Sequence, residues 1–162
     1  VARRWVRFAY HQQTRLLQPY KLIHHHGRWY VAAQEQGASH PKSFRLAKLS
    51  HLEVLAEVFC PDTAVLAQIE AEPSIWFGEK MEIVLTVARE VAGRFLDREL
   101  VPEQQIVKEL ADGGLIISSK VVNQQQILPI IRYWVPHVKV VSPDSVREAY
   151  LTSLRQHLQM FA

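Results

Sequence analysis

Apolar and polar residues alternate in several short runs over the first sixty residues. In residues 4–10, Val6, Phe8 and Tyr10 fall on one side of the run and Trp5 falls on the other. A period of two is typical of β-strands. Similar runs follow, separated by Gly, Pro or polar residues, at 15–25, 28–33, 43–47 and 51–58. Five or six short strands with no helix among them predict a small β-barrel, because closure leaves no strand edge exposed.

The periodicity changes after residue 60. Asp62 is placed to cap a helix at 63–71, which Glu72-Pro73-Ser74 ends. Strand and helix patterns then follow in the order β-α-β-β-α-β, which is the order of a ferredoxin-like unit, and one more helix is added at the C-terminus. The pattern therefore predicts β plus α/β architecture in three regions: a β-barrel at 1–60, a linker helix at 61–74 and a ferredoxin-like domain at 75–162.

Helix and turn signals place several residues within the third region. Asp112-Gly113-Gly114 predicts a hairpin between strands at 104–110 and 115–122. We expect Asn123 to cap a helix that contains Pro129, and Ser142 to cap the last helix. Apolar stripes predict the buried faces of two helices, with Val91, Phe95 and Leu96 in the first and Val146, Tyr150, Leu154, Leu158 and Phe161 in the last.

Charge is distributed unevenly along the chain. The formal net charge is +3, but residues 1–50 contain nine Lys and Arg against one acid, Glu35. Residues 51–162 contain ten Lys and Arg against fifteen acids. This asymmetry indicates that the first part of the chain meets an anion or a nucleic acid. The alternative is a solvated basic face whose counter-charges come from the acidic half.

Composition indicates a globular protein of the cytoplasm. Hydrophobic residues make up 48% of the chain and charged residues 22%. No apolar run approaches the roughly 20 residues that a membrane span needs, and no signal-peptide pattern is present. The single cysteine, Cys60, excludes an internal disulfide. Because the sequence opens on Val1 and a strand pattern starts at once, we expect it to be a fragment of a longer protein.

Two arginines in the predicted barrel are candidates for binding an anion. Arg45 stands between two apolar residues of a strand, where a guanidinium needs a partner. Arg15 and Arg45 together would cradle phosphate oxygens, since each offers paired donors. The alternative is a pair of structural arginines held by Glu35, Glu53 or backbone carbonyls.

Trp29 and Tyr30 point to opposite faces of one strand. We expect Trp29 to lie in the core. Tyr30 lies on the more polar face, where it is able to stack on a ligand or donate its hydroxyl.

Neither metal binding nor catalysis has a sequence signature here. His24-His25-His26 has no cysteine pair or carboxylate nearby to complete a zinc site, so a histidine-rich hairpin end is the expectation. No Gly-x-Ser-x-Gly elbow, Walker loop or Gly-x-Gly-x-x-Gly sequence occurs. Cys60 has no motif around it. We expect a protein that is not an enzyme and that uses no cofactor.

Two sets of residues resemble known domains. Gly27-Arg28-Trp29-Tyr30-Val31 resembles the WYL domain, whose name comes from a Trp-Tyr-Leu run; Arg15, Pro19 and Leu22 before it and Phe44-Arg45-Leu46-Ala47-Lys48-Leu49 after it also match. The second half resembles the C-terminal extension often found behind that domain in bacterial transcriptional regulators. The matching residues there are Asp112-Gly113-Gly114, Asn123, Val140-Val141-Ser142-Pro143 and Arg147. Together the two resemblances cover nearly the whole chain.

The resemblance implies an Sm-like, SH3-type β-barrel that senses a ligand behind an N-terminal winged helix-turn-helix. Such regulators are usually homodimers, and some repress anti-phage defence or control the DNA-damage response. The implied ligand is a nucleotide or a single-stranded nucleic acid, and the implied contact with promoter DNA is made by the N-terminal domain absent from this sequence. The family's pocket positions correspond to Arg15, His25, Tyr30 and Arg45, with Tyr10 and His11 as weaker matches.

One departure from the family pattern affects the pocket. The family often has Asp-Arg where this chain has Ala47-Lys48. Lys48 keeps the positive charge of a ligand contact but loses the bidentate fork of an arginine.

Three functions are compatible with these residues. The first is the ligand-sensing and dimerisation region of a bacterial transcriptional regulator. The second is a module that binds single-stranded nucleic acid directly, as Sm-like and OB barrels do. The third is a structural dimerisation domain whose basic residues only keep it soluble. A steep dependence of affinity on salt would favour the second function, and a shallow one the first.

Overall fold

The computed structural model describes residues 3–162, which form two compact units. The first unit runs to Gly78 and the second from Glu79 to Ala162. Each unit contains one antiparallel sheet, and the described residues form four α-helices, one in the first unit and three in the second. The prediction of a mixed fold, mostly strands first and then alternating strands and helices, is confirmed at this level. No helix among the described residues is long and apolar enough to cross a membrane.

The first unit is built on five antiparallel strands. Their order in the sheet is β4-β3-β2-β1-β5, and their bounds are β1 Arg4–Tyr10, β2 Gln13–His25, β3 Arg28–Glu35, β4 Lys42–Arg45 and β5 Ser50–Val58. A short 3₁₀ turn, Leu46–Lys48, separates β4 from β5. Pro19 lies within β2, which is a central strand of the sheet. A β-bulge lies between Pro19 and Lys21. The bulge accommodates Pro19, because proline has no N–H to donate to the neighbouring strand.

Both faces of this sheet are apolar. One face carries the cluster Phe8, Leu17, Val31, Ala33 and Phe44, which we call the inner cluster. The other face carries Tyr20 and Ala32 and packs against Phe59, Phe77 and helix α1 (Thr63–Ala71), which contributes Val65 and Ile69; we call this the outer cluster. The predicted helix and its cap are confirmed, since Asp62 accepts a hydrogen bond from the N–H of Ala64 at 2.8 Å.

The prediction that Trp29 lies in the core is wrong. Trp29 is 53% exposed, and its ring lies 5.0 Å from the ring of His24 between centroids. The alternation itself is correct, because Trp29 shares a face with Val31 of the inner cluster. The cluster, however, ends at Val31, and Trp29 lies one step beyond it, at the hairpin end of β3.

The second unit contains a four-stranded antiparallel sheet with the order β7-β8-β6-β9. Its elements are β6 Met81–Val87, α2 Arg89–Asp97, β7 Gln105–Glu109, β8 Leu115–Val121, α3 Leu128–Tyr133, β9 Val138–Ser142 and α4 Asp144–Gln159. The predicted hairpin between β7 and β8 is confirmed: the N–H of Gly114 donates to Asp112 Oδ1 at 2.9 Å, and Gly113 has a positive φ of 89°. Helices and sheet share one core, centred on Ile83, Leu85 and Ile117.

The sequence predicted that several side chains of this unit are buried, and for three of them this is wrong. Leu96 is 51% exposed in α2, whereas Phe95 beside it is buried and Val91 packs against the core. The stripe of α4 is buried only in its first half, at Val146 and Tyr150, and Leu154 packs against the core from its edge. Leu158 and Phe161 are exposed because the last turns of α4 extend beyond the core that Val146 and Tyr150 join.

The helix starts also differ in detail. Asn123 caps a 3₁₀ turn at Gln124–Gln126, accepting from the N–H of Gln125 at 2.8 Å, and α3 starts after that turn. Pro129 lies in the first turn of α3, where a missing N–H leaves no helix bond unmade. Ser142 is the last residue of β9 and does not cap α4.

Candidate functional site

Three of the predicted ligand-binding residues come together on the outer face of the first sheet. Arg45, the last residue of β4, is directly opposite Tyr30 of β3. Directly opposed residues of an antiparallel pair project side by side from the same face. The ring of His25, at the end of β2, lies 6.5 Å from that of Tyr30 between centroids. We call His25, Tyr30 and Arg45 the Arg45 cluster.

The guanidinium of Arg45 is incompletely paired. Its Nε is buried and has no hydrogen-bond partner, and none of the carboxylates in residues 3–162 forms an ion pair with it. A partly buried cation without a counter-ion has lost hydration that nothing replaces. An anion placed against Arg45 would restore that interaction. Lys48, exposed in the 3₁₀ turn that follows β4, adds a second positive charge three residues along the chain.

His25 brings a titratable ring to the cluster. Burial lowers the pKa of His25 below its usual 6.5, and the neighbouring His26, whose ring centroid is 4.1 Å away, lowers it further. The ring is therefore neutral at neutral pH and presents one donor and one acceptor nitrogen. An anion bound beside His25 would favour the imidazolium and reverse this shift in pKa.

Arg15 lies on the opposite face of the sheet. It is directly across from Phe8, and it shares a side of β2 with Leu17, so it belongs to the face of the inner cluster. Arg45 and Tyr30 share their face with Ala32 of the outer cluster. The structure therefore does not bring the two arginines together in one cradle.

Arg15 has a protein counter-ion, Glu35. Arg15 Nη1 donates to Glu35 Oε1 at 2.6 Å, and Arg15 Nη2 donates to Gln13 Oε1 at 2.9 Å. Lys42 Nζ donates to the second oxygen, Glu35 Oε2, at 2.8 Å. This arrangement matches the alternative interpretation of Arg15 as a structural arginine. Glu35 was identifiable in the sequence as the one acid among the first fifty residues.

The Glu35 carboxyl is held in its ionised form. Burial alone raises the pKa of Glu35, but the hydrogen bonds and positive charges of Lys42 and Arg15 outweigh burial and leave the pKa below its usual 4.5. The two cations and one carboxylate leave a net positive charge at this end of the inner cluster.

Tyr10 and His11 lie on the side of Arg15. Tyr10 packs edge-on against Phe44 of the inner cluster, at 5.3 Å between centroids, and against His11 at 4.5 Å. His11 is exposed in the turn after β1 with a positive φ of 50°. Of the seven predicted residues, Tyr10, His11 and Arg15 thus lie on one side and the Arg45 cluster on the other, while Lys48 lies in the turn after β4. Within the described range, 3–162, no group of three ligating side chains is placed to hold a metal ion.

Comparison with known proteins agrees with this two-unit organisation. Residues 1–54 match the WYL domain family, and residues 79–158 match the WCX domain family. None of the curated proteins matches the chain.

Two solved structures are similar to this chain over most of its length. A CRISPR Cas-related protein superposes with a TM-score of 0.69 at 11% identity, over 99% of this chain and 47% of its own. Proteasome accessory factor B/C (PafBC) of Arthrobacter aurescens gives a TM-score of 0.39 at 21% identity, over 94% of this chain and 24% of its own. This chain therefore spans less than half of either protein. Its sequence and its two units identify it as a WYL domain followed by a WCX domain.

Proposed function

We propose that this chain is the ligand-sensing and dimerisation region of a bacterial transcriptional regulator. Its ligand is anionic, either a nucleotide or a short single-stranded nucleic acid, and binds at the Arg45 cluster. The observation that carries this proposal is the half-buried guanidinium of Arg45, which has no carboxylate partner and lies directly beside Tyr30. WYL domains typically occur in regulators that bind DNA and sense ligands, which supports the same assignment.

Each member of the cluster has a distinct role in this proposal. Arg45 binds a phosphate through paired N–H donors. Tyr30 stacks on a base or donates its hydroxyl, and His25 donates an N–H to the anion. Lys48 contributes charge without the planar fork of an arginine.

Tyr10, His11 and Arg15 form a second contact region in this proposal. They lie on the other side of the sheet, and Glu35 already neutralises part of the charge of Arg15. A longer oligonucleotide would reach them around the edge of the unit, whereas a mononucleotide would use the Arg45 cluster alone.

The same proposal specifies the fold class and the domain limits. The sheet order β4-β3-β2-β1-β5 and the two apolar faces support an Sm-like, SH3-type barrel at 1–60, followed by a linker helix at 61–74. The order β7-β8-β6-β9, with β8 between β6 and β7, supports a ferredoxin-like extension at 75–162 with an added C-terminal helix.

Ligand binding acts through a shift between two states of a homodimer. One state holds the N-terminal winged helix-turn-helix domains of the full protein in a geometry that fits promoter DNA, and the other does not. The ligand changes DNA binding only to the extent that it prefers one state. This role needs no catalysis and no cofactor, and it operates in the cytoplasm.

The test is a binding titration of a fluorescently labelled thymidine oligonucleotide of about four nucleotides. We expect Arg45→Gln to weaken binding about tenfold or more, because a charge-assisted hydrogen bond is lost from a partly buried site. Arg4→Gln is the matched control, since it removes the same charge from an exposed position of β1.

Thermal unfolding of each variant separates binding from folding. If Arg45→Gln unfolds at a much lower temperature yet retains full affinity, Arg45 is a structural residue and the proposal fails. If the wild type binds neither the oligonucleotide nor mononucleotides, the structural dimerisation function replaces it.

A further inference from the structure

A cleft in the second unit combines two arginines with two aromatic rings. It lies between α2 and α3 and has a volume of about 440 Å³. Its lining includes Arg94 of α2, Arg98 immediately after that helix, Tyr133 at the end of α3, and Trp134, with Leu100 and Ile130 as apolar surface. The volume falls within the range of about 300–1,000 Å³ that is usual for small-molecule sites. The cleft is separate from the Arg45 cluster, which belongs to the first unit.

The two arginines have no carboxylate partner. None of the ion pairs among residues 3–162 includes Arg94 or Arg98, and none of the residues lining the cleft is acidic. Acids are nevertheless plentiful in this unit, since residues 79–162 contain ten Asp and Glu against ten Lys and Arg. Both guanidinium groups line the same cleft, and like charges that share a site repel each other. An anion between Arg94 and Arg98 would remove that repulsion.

The aromatic residues give the cleft a face for a planar group. The guanidinium of Arg94 lies over the ring of Trp134, 5.9 Å from its centroid, which orients the arginine at the wall of the cleft. The buried ring of Phe95 packs against Trp134, at 5.2 Å between ring centroids. Tyr133 is 77% exposed, although its ring packs edge-on against Trp134 at 5.1 Å. An exposed tyrosine beside unpaired arginines is the combination that stacks on a base and binds its phosphate.

We propose that this cleft is a second anion site, which binds one nucleotide unit, with the phosphate between Arg94 and Arg98 and the base against Tyr133. The nucleotide unit is either a free mononucleotide or the phosphorylated end of a single-stranded oligonucleotide. The sequence did not single out these residues, because α2 and α3 are separated by about thirty positions and no local motif joins them.

The experiment compares the chain carrying Arg45→Gln with the same chain carrying Arg45→Gln, Arg94→Gln and Arg98→Gln. The Arg45→Gln background removes the proposed site of the first unit. The probes are AMP, adenosine, inorganic phosphate and a 5′-phosphorylated thymidine tetranucleotide, and the measurement is equilibrium dialysis at low salt. We expect Arg45→Gln alone to retain AMP binding and the two added changes to weaken it about tenfold or more. Arg155→Gln, an exposed arginine of α4 outside the cleft, is the charge-matched control.

Tyr133→Ala tests the stacking contact without removing a charge. Because Tyr133 is largely exposed, this change leaves the core intact, and we expect it to weaken AMP about fivefold or more while leaving inorganic phosphate unaffected. AMP binding tighter than that of the tetranucleotide identifies a mononucleotide site, and the reverse order identifies an oligonucleotide end.

Two results overturn the inference. One is AMP binding to Arg45→Gln that the added Arg94→Gln and Arg98→Gln changes do not alter, or no AMP binding at all in that background. The other is equal affinity for AMP and inorganic phosphate, since the base would then make no contact. Neither result affects the Arg45 proposal, which depends on the difference between the wild type and Arg45→Gln.

Discussion

At the scale of single residues, pairing distinguishes the two arginines of the first unit. Arg15 and Arg45 both occur in strands of the basic half, and the sequence gives no reason to separate them. In the folded chain the Nε of each arginine is buried without a hydrogen-bond partner, but Arg15 Nη1 donates to Glu35, whereas no ion pair among residues 3–162 includes Arg45. The difference follows from strand pairing: Leu17↔Glu35 in β2 and β3 brings the carboxylate to the face of Arg15. No acid is opposite Arg45, which is across from Tyr30.

Glu35→Gln should destabilise the first unit. The substitution removes the carboxylate that accepts hydrogen bonds from Arg15 and Lys42, and the side chain of Glu35 is only 16% exposed. We expect the free energy of unfolding to fall by about 1.5 kcal/mol, the lower end of the range for hydrogen bonds to charged groups. Urea denaturation at neutral pH measures it. Glu53→Gln is the control, because the ion pair of Glu53 with Arg7 is long, at 3.7 Å, and more than half exposed; about 0.5 kcal/mol or less is expected there.

Glu35 should also contribute to acid sensitivity. Its pKa is lowered in the folded chain, so its contribution to stability is complete above its usual value of 4.5 and is lost as the pH falls through the lowered pKa. Glu35→Gln should therefore lose less stability than the wild type between neutral pH and about pH 3. An identical loss in both proteins would show that the carboxylate is not stabilised by its two partners.

Anion binding at the Arg45 cluster should strengthen as the pH falls. The pKa of His25 is lowered in the free protein by burial and by His26, and a bound anion raises it, so binding takes up a proton between the two pKa values. From about pH 7.5 to about pH 5.5, affinity should increase by up to about tenfold for each unit by which the pKa rises.

His25→Gln should remove that pH dependence. His24→Gln is the matched control, because His24 is opposite Trp29, on the other face of the sheet. A titration series with the labelled oligonucleotide measures all three proteins. The same pH dependence in the wild type and His25→Gln would exclude His25 from the site.

At the scale of elements, local sequence signals were sufficient to predict most of the strands, helices and turns. Period-two alternation located the five strands of the first unit, and Asp62 located the start of α1. Three of the errors lie where an element extends past its core: Trp29 at the end of β3, and Leu158 and Phe161 at the end of α4. Leu96 was also predicted to be buried, but it is half exposed beside the buried Phe95 of α2. Periodicity identifies a face but not the point at which another element stops covering it.

Alanine substitutions at two glycines of the second unit should change the free energy of unfolding in opposite directions. A Cβ on Gly114, in the β7–β8 hairpin, would lie 2.9 Å from the carbonyl oxygen of Val87, so Gly114→Ala should destabilise by about 1–3 kcal/mol. A Cβ on Gly93 would meet nothing within 4 Å, and Gly93 lies inside α2, so Gly93→Ala should stabilise by about 0.5–1 kcal/mol. Thermal and urea unfolding of both variants decide the matter. Destabilisation by Gly93→Ala, or none by Gly114→Ala, would contradict the packing described here.

At the scale of the whole molecule, positive charge is concentrated in one unit. Residues 1–78 contain nine Lys and Arg against six acids, and residues 79–162 contain ten of each, so the net charge of +3 comes from the first unit. The second unit has no net formal charge, and Arg94 and Arg98 bring two positive charges to its cleft. Charge of this kind favours small sites for one or two phosphates over a long continuous groove.

The salt dependence of oligonucleotide binding tests that distinction. One or two phosphate contacts predict a slope of log affinity against log salt between about −0.7 and about −1.4 for a single strand. Titrations of the wild-type chain at several salt concentrations give the slope. A value steeper than about −3 would indicate a groove that follows the backbone and would favour a direct nucleic-acid-binding module over a sensor.

The sequence by itself determined the local properties of this protein. Alternation, glycine turns and caps specified the order of strands and helices, and the order of short motifs specified the resemblance to a WYL domain with its extension, because these signals depend on neighbours in the chain. Tertiary structure alone decided which charges are paired and which residues share a site. Glu35 reaches Arg15 across strand pairing, twenty positions away in sequence, and Arg98 and Tyr133, which are far apart in sequence, line one cleft. Such contacts depend on register and on which face is covered, and neither is encoded within a single element.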